Sequence, residues 1–64
     1  MNKFEIEKDI RRFLQNEFYL EGKTDDTESK MQYAASRYVQ DKFPEVNHVI
    51  INVDYFGDIK ITIN

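Results

Sequence analysis

The sequence predicts an α+β fold, in which two antiparallel helices are followed by a C-terminal antiparallel β-hairpin (α-α-β-β). Two observations predict this order. Apolar residues recur with a period of roughly 3.6 over the first part of the chain, and they alternate with polar residues from Val46 onward. Pro44 separates the two patterns, because the residue before a proline disfavours the α conformation.

The chain of 64 residues is predicted to be a single small domain spanning positions 1–64. This length is near the lower limit at which a hydrophobic core alone holds a fold, and such domains usually add a disulfide, a metal or a partner subunit. There is no cysteine, and His48 is the only histidine. Oligomerisation is therefore the remaining support that the composition favours.

The first helix is predicted over residues 3–20. Asn2 is a suitable N-cap with Glu5 three residues later, as in a capping box, and Gly22 suits the left-handed position beyond the end. Glu17 interrupts the apolar side, either as a buried functional acid or, as the position near the helix end favours, as an exposed carboxylate. The apolar residues that share one side of this helix are Ile6, Ile10, Phe13, Leu14, Phe18 and Leu20.

The second helix is predicted over residues 26–43. Asp25 followed by Glu28 is the best candidate for its capping box, and Pro44 ends it. The short polar connection predicts that the two helices are antiparallel. The residues that share its apolar face are Met31, Ala34, Ala35, Tyr38, Val39 and Phe43.

Strands are predicted over residues 47–54 and 58–63, and the apolar pattern fixes their register. Residues directly opposite each other in an antiparallel pair lie on the same face. A three-residue loop, Tyr55-Phe56-Gly57, also places glycine at the position that needs a positive φ angle. It sets three apolar pairs on one face: Val53 with Ile59, Ile51 with Ile61 and Val49 with Ile63.

Both edges of this hairpin are expected to be open in a lone chain, and a two-stranded ribbon is marginal in water. A second copy that supplies strands would give a four-stranded sheet across a two-fold axis, or a target protein would add one strand. Ile50 stands on the otherwise polar face of the hairpin. It is either an isolated exposed residue or part of such an interface.

The second helix also carries a candidate binding surface. Tyr33 precedes Arg37 by four residues on the polar face, with Lys30 alongside. This composition is typical of a protein-binding hot spot, of a base-stacking site, or of a surface pair without function. Phe56 at the hairpin tip either folds back on the core or offers an anchor to a partner.

No residue pattern indicates catalysis, a cofactor or a metal. Asp54 and Asp58 flank the turn without the spacing of a calcium loop, His48 has no motif partner, and two glycines are too few for a phosphate-binding loop. The net charge of -3 disfavours nucleic acid as a partner. The absence of a long apolar run or a signal segment predicts a cytoplasmic protein with no membrane partner.

The sequence therefore predicts a non-enzymatic protein–protein interaction module that associates with itself, as a homodimer, and with an unidentified protein. Its small size and residue usage suggest an accessory or inhibitor protein of a phage or mobile element. The alternative is a small DNA- or RNA-binding regulator that uses the surface of Lys30, Tyr33 and Arg37, since local positive charge is compatible with a negative total.

Overall fold

The computed structural model describes residues 2–64 and contains two helices followed by two strands. Helix α1 spans Lys3–Glu17, helix α2 spans Thr27–Lys42, strand β1 spans Val49–Val53 and strand β2 spans Ile59–Ile63. The strands form one antiparallel two-stranded sheet. The predicted α-α-β-β order and the fold class are confirmed.

Helix α1 begins as predicted but ends earlier. The side chain of Asn2 accepts a hydrogen bond from the backbone N–H of Glu5 at 2.9 Å. The helix stops at Glu17, and the N–H of Phe18 closes it on the carbonyl of Leu14 at 3.0 Å. Leu20, predicted to lie on the apolar side, is 82% exposed.

The early end of α1 has a packing cause. Leu14 is the last fully buried residue of α1, and it lies beside Val53 and Ile59 at the tip end of the hairpin. Strand β1 ends at Val53 and strand β2 begins at Ile59, so the sheet does not continue beyond the level of Leu14 toward Leu20. The predicted left-handed position of Gly22 is also wrong, because among residues 2–64 only Gly57 has a positive φ angle.

Helix α2 begins at Thr27, after Asp26 as the N-cap. The predicted capping box of Asp25 and Glu28 does not form, because Glu28 bonds instead to strand β1 at the N–H of Val53. The hydroxyl of the buried Thr27 accepts a hydrogen bond from the N–H of Thr24 at 2.7 Å and orders the connection. The helix ends at Lys42, shortly before Pro44, as predicted.

The hairpin has the predicted register, with Val49 opposite Ile63, Ile51 opposite Ile61 and Val53 opposite Ile59. The loop of residues 55–57 is closed by a hydrogen bond from the N–H of Gly57 to the carbonyl of Asp54 at 3.0 Å. Gly57 has a φ of 88°, a conformation that side chains disfavour. The predicted loop is confirmed.

The core lies between the helices and the apolar face of the hairpin. Helix α1 packs against both β2 and helix α2, and helix α2 packs against β1. Between the two helices, the rings of Phe13 and Tyr38 stack with their centroids 4.1 Å apart. The buried apolar residues are Ile6, Ile10, Leu14, Met31, Ala35, Val39, Phe43, Val49, Ile51, Ile61 and Ile63.

Candidate functional site

The directions of the strand backbone groups identify the edges that another chain can reach. His48 and Asn64 exchange backbone hydrogen bonds at 3.0 and 3.3 Å, and Asp54 donates to Asp58 at 3.0 Å. Bonded and non-bonded pairs alternate along an antiparallel ladder. The odd-numbered residues of both strands therefore direct their N–H and C=O groups away from the hairpin, along its two outer edges.

A side chain of helix α2 occupies the outer edge of β1. The Gln32 amide nitrogen donates to the carbonyl of Val49 at 2.8 Å, and its amide oxygen accepts from the N–H of Ile51 at 2.7 Å. A glutamine side chain thus makes the two hydrogen bonds that a residue of a neighbouring strand would make.

Glu28, one helical turn before Gln32, extends this coverage toward the hairpin tip. Its carboxylate accepts from the N–H of Val53 at 2.7 Å. The expectation that both edges are open is therefore wrong for part of the β1 edge, where the carbonyl of Val49 and the N–H groups of Ile51 and Val53 bond to Gln32 and Glu28. The reason is that α2 lies close enough to β1 for medium-length polar side chains to reach the strand backbone.

The outer edge of β2 differs. The guanidinium of Arg11 donates to the carbonyl of Ile59. Within residues 2–64, the outward N–H and C=O groups of Ile61 and Ile63 have no hydrogen-bond partner. The hairpin thus has one edge that its own helix bonds in part and one edge that is open over its last two outward-facing residues.

Helix α1 carries an exposed aromatic residue on the side from which Arg11 reaches the β2 edge. Phe4 precedes Arg11 by seven residues, or about two helical turns, so it lies on the same side of α1 as the residue that reaches Ile59. Its side chain is 68% exposed. An apolar side chain therefore lies on the side of α1 that carries Arg11.

Ile50 lies on the outer face of the sheet, opposite Thr62, and is 47% exposed. The predicted position on the polar face is thus observed, with the outer face open to solvent. Ile50 borders the strand that carries the open edge, since Thr62 belongs to β2.

Tyr33 and Arg37 form a pair on the exposed face of α2. The Arg37 guanidinium donates to the Tyr33 hydroxyl at 3.1 Å and lies 5.8 Å from the ring centroid. The hydrogen bond to Tyr33 raises the pKa of Arg37. Lys30 forms an ion pair with Asp26, with 3.6 Å between the amine nitrogen and a carboxylate oxygen. These cations thus have local partners, and a shallow groove passes beside them and Phe18.

Phe56 does not fold back on the core. It is 85% exposed and meets the ring of Tyr55 edge-on, with the centroids 5.5 Å apart. The Asp54 carboxylate accepts from the N–H groups of Phe56 and Asp58, at 2.9 Å each, so Asp54 stabilises the turn. The four candidate residues occupy different parts of the molecule: Tyr33 and Arg37 on α2, Ile50 on β1 and Phe56 at the tip.

The sequence pattern did not identify the residues that determine which strand edge is accessible. Arg11, Glu28 and Gln32 bond to strand backbone, whereas their sequence pattern indicates only the polar faces of two helices. The one available signal is position: Gln32 directly follows the buried Met31 and therefore borders the apolar face. Glu17 is exposed, which is the alternative that its position near the helix end favoured.

Two properties of the described part of the chain are relevant to other site types. Residues 2–64 contain no group of three or more metal-ligating side chains placed to share an ion. No helix within those residues combines the length and apolarity that crossing a bilayer requires.

The fold and its edges define a class: a two-helix, one-hairpin α+β domain in which side chains of α2 bond part of one sheet edge and leave most of the other edge open. No family model, curated protein or solved structure matches this chain. Its function is therefore argued from its own geometry.

Proposed function

We propose that this protein is a non-enzymatic protein–protein interaction module that associates with a second copy of itself through the β2 edge. One observation carries this proposal: the outward backbone groups of Ile61 and Ile63 have no hydrogen-bond partner within residues 2–64, whereas α2 bonds to the other edge. An exposed strand edge is a template for pairing with another strand.

The difference between the edges also determines the size of the assembly. If both edges were open, strand pairing would continue from copy to copy as an open filament. Because Gln32 and Glu28 occupy the β1 edge, pairing through β2 stops at two copies and gives one four-stranded sheet. This supports a closed homodimer, in which the marginal two-stranded hairpin becomes part of a larger sheet.

Sedimentation equilibrium combined with amide hydrogen exchange tests this proposal. We expect a dimer at high micromolar concentration and slow exchange of the Ile61 and Ile63 amides, which becomes fast on dilution. The Lys60 and Thr62 amides point into the hairpin and should be protected under both conditions. A strict monomer at high micromolar concentration, with fast exchange at Ile61 and Ile63, would contradict self-association.

The proposed role includes binding to an unidentified protein, as an accessory or inhibitor protein of a phage or mobile element. The small size and residue usage support this assignment. The exposed aromatic residues Tyr55 and Phe56 at the hairpin tip lie away from the β2 edge groups and suit a second contact. The role of Asp54 in the turn supports a non-enzymatic function for that carboxylate.

DNA or RNA binding is the second candidate, and the observation that favours it is the exposed Tyr33–Arg37 pair beside a groove. It has less support, because Lys30 pairs with Asp26 and Arg37 with Tyr33. Binding of this kind weakens steeply with salt. Gel-shift measurements at low salt test it, and the absence of any shifted band would end this candidate.

A further inference from the structure

We propose that the two copies pair their β2 strands in one particular antiparallel register, with Ile61 opposite the partner's Ile63. In this arrangement the two-fold axis passes between Thr62 and the partner's Thr62. The inference rests on the proposed self-association and adds to it the alignment of the strands.

The available hydrogen-bonding groups select this register. Opposite residues whose backbone groups face each other exchange two hydrogen bonds. Pairing Ile61 with the partner's Ile63, and the reverse, uses every outward group of these residues on both chains. It leaves the carbonyl of Ile59 bonded to Arg11.

The nearest competing register places Ile61 opposite the partner's Ile61. That register brings Ile59 opposite the partner's Ile63, so the carbonyl of Ile59 has to accept the partner's N–H. The guanidinium of Arg11 already donates to this carbonyl and stands at the edge where the partner strand would lie. The competing register therefore displaces Arg11, whereas the proposed one does not.

The faces of the sheet agree with the proposed register. Ile61 and Ile63 both point toward the helices, so the partner's Ile63 and Ile61 continue the apolar face across the axis. Thr62 points outward and meets the partner's Thr62 directly. Ile50 pairs with Thr62 within each chain, so the outer face gains a continuous row of four side chains.

Helix α1 supplies a second contact at the same place. Ile59 and Thr62 are three residues apart along β2, or about 10 Å. The same distance along a helix corresponds to about seven residues, which leads from Arg11 back to Phe4. Phe4 therefore lies near the axis and on the side that faces the partner, where its exposed ring becomes covered.

Charge substitutions at Thr62 test the register. Thr62→Glu and Thr62→Lys each place like charges directly opposite across the axis, whereas a mixture of the two variants places opposite charges there. We expect the mixed dimer to be tighter than the mean of the two homodimers by about fivefold at low salt. Native mass spectrometry, with one variant labelled with ¹⁵N, measures the fraction of mixed dimer. This fraction is one half if the two variants pair at random.

The matched control is the pair Asn52→Glu and Asn52→Lys. Asn52 lies on the same outer face but in β1, so the whole of β2 separates it from the partner. A mixture of the two Asn52 variants should therefore give the fraction of mixed dimer that random pairing predicts. Circular dichroism of each variant below its dimerisation range checks that the chain is folded, and Thr62 is exposed, so neither substitution disturbs the core.

The outcomes separate this inference from the proposed function. If the wild type is a dimer but the Thr62 mixture is statistical, the register is wrong and self-association stands. In the competing register Thr62 faces the partner's Lys60, so Thr62→Glu would tighten the homodimer and Thr62→Lys would weaken it. A wild type that is monomeric at high micromolar concentration would overturn both proposals.

Discussion

At the scale of single residues, Gln32 shows how one side chain changes the surface that the molecule offers. Its amide bonds to both Val49 and Ile51, so it replaces part of a missing strand. A hydrogen bond within a protein makes a net contribution of about 1 kcal/mol to the free energy of unfolding. A buried polar group left without a partner costs more than that. One glutamine therefore stabilises β1 and blocks strand pairing there.

A second residue-scale feature is the polar cluster that connects the middle of α1 to the end of α2. Tyr38 donates to Asp9 at 2.9 Å, and the Lys42 amine lies 3.0 Å from the same carboxylate oxygen. Burial by itself raises the pKa of Asp9, but the hydrogen bonds from Lys42 and Tyr38 hold it below its ordinary value of 3.8. The hydrogen bonds to Tyr38 and Asp9 raise the pKa of Lys42.

The lowered pKa of Asp9 predicts the pH dependence of stability. A carboxyl whose pKa falls on folding stabilises the fold above its unfolded value, and this stabilisation is lost as the pH falls through the lowered value. We expect Asp9→Asn to reduce the free energy of unfolding by about 1 kcal/mol at neutral pH. The difference should shrink below about pH 4. Urea denaturation across this range measures it.

Asp41→Asn is the matched control, since Asp41 is an exposed aspartate on α2. Its effect on the free energy of unfolding should be small at every pH. An equal effect of both substitutions at neutral pH would mean that the Asp9 cluster adds nothing specific.

At the scale of elements, the hairpin depends on one glycine and not on the other. Gly57 has a φ of 88°, whereas Gly22 has no positive φ, and nothing lies within 4 Å of the position of an added Cβ at either. The difference between them is therefore a matter of backbone conformation alone. The sequence suggested a left-handed conformation at both.

Alanine substitutions of the two glycines test this difference. We expect Gly57→Ala to destabilise the protein by about 1 to 2 kcal/mol, because an L-residue is strained at positive φ. Gly22→Ala should be neutral or stabilise by up to about 1 kcal/mol, because it reduces the freedom of the unfolded chain. Thermal unfolding of both variants measures the effect, and equal changes would refute the assignment.

At the scale of the whole molecule, the two edges of the hairpin decide between a closed dimer and an open assembly. The proposed sheet ends on both sides at a β1 strand on which the carbonyl of Val49 and the N–H groups of Ile51 and Val53 bond to Gln32 and Glu28. Removing these two side chains gives each copy a second open edge. Strand pairing through both edges then adds copy after copy and forms an open filament instead of a closed dimer.

The double variant Glu28→Ala/Gln32→Ala should therefore form species larger than a dimer at concentrations where the wild type stops at two copies. It should also lose roughly 1 to 3 kcal/mol of unfolding free energy with the lost hydrogen bonds. Sedimentation velocity measures the size. Ser29→Ala/Gln40→Ala, at exposed positions of the same helix, is the control. Assemblies no larger than the wild type would refute the role of this edge.

Much of the fold follows from local rules in the sequence. The period change after Pro44, the capping of α1 by Asn2 and the hairpin register with Gly57 all depend on residues close together in the chain. The end of α1 does not, because it depends on how far the sheet extends beneath Leu14. Tyr33, Arg37 and Ile50 are exposed on the polar faces that their patterns indicate, and Phe56, for which the sequence left two positions open, is exposed at the tip. None of the four lies on the open edge.

The sequence by itself determined the two helices, the hairpin and the face that each one buries, because these depend on periodicity and on short-range turn chemistry. Only the tertiary structure decided which strand edge is open. The backbone groups of β1 and β2 are equivalent in the sequence pattern. The distance from α2 to β1 lets Gln32 and Glu28 reach one edge, whereas from α1 only Arg11 reaches the other.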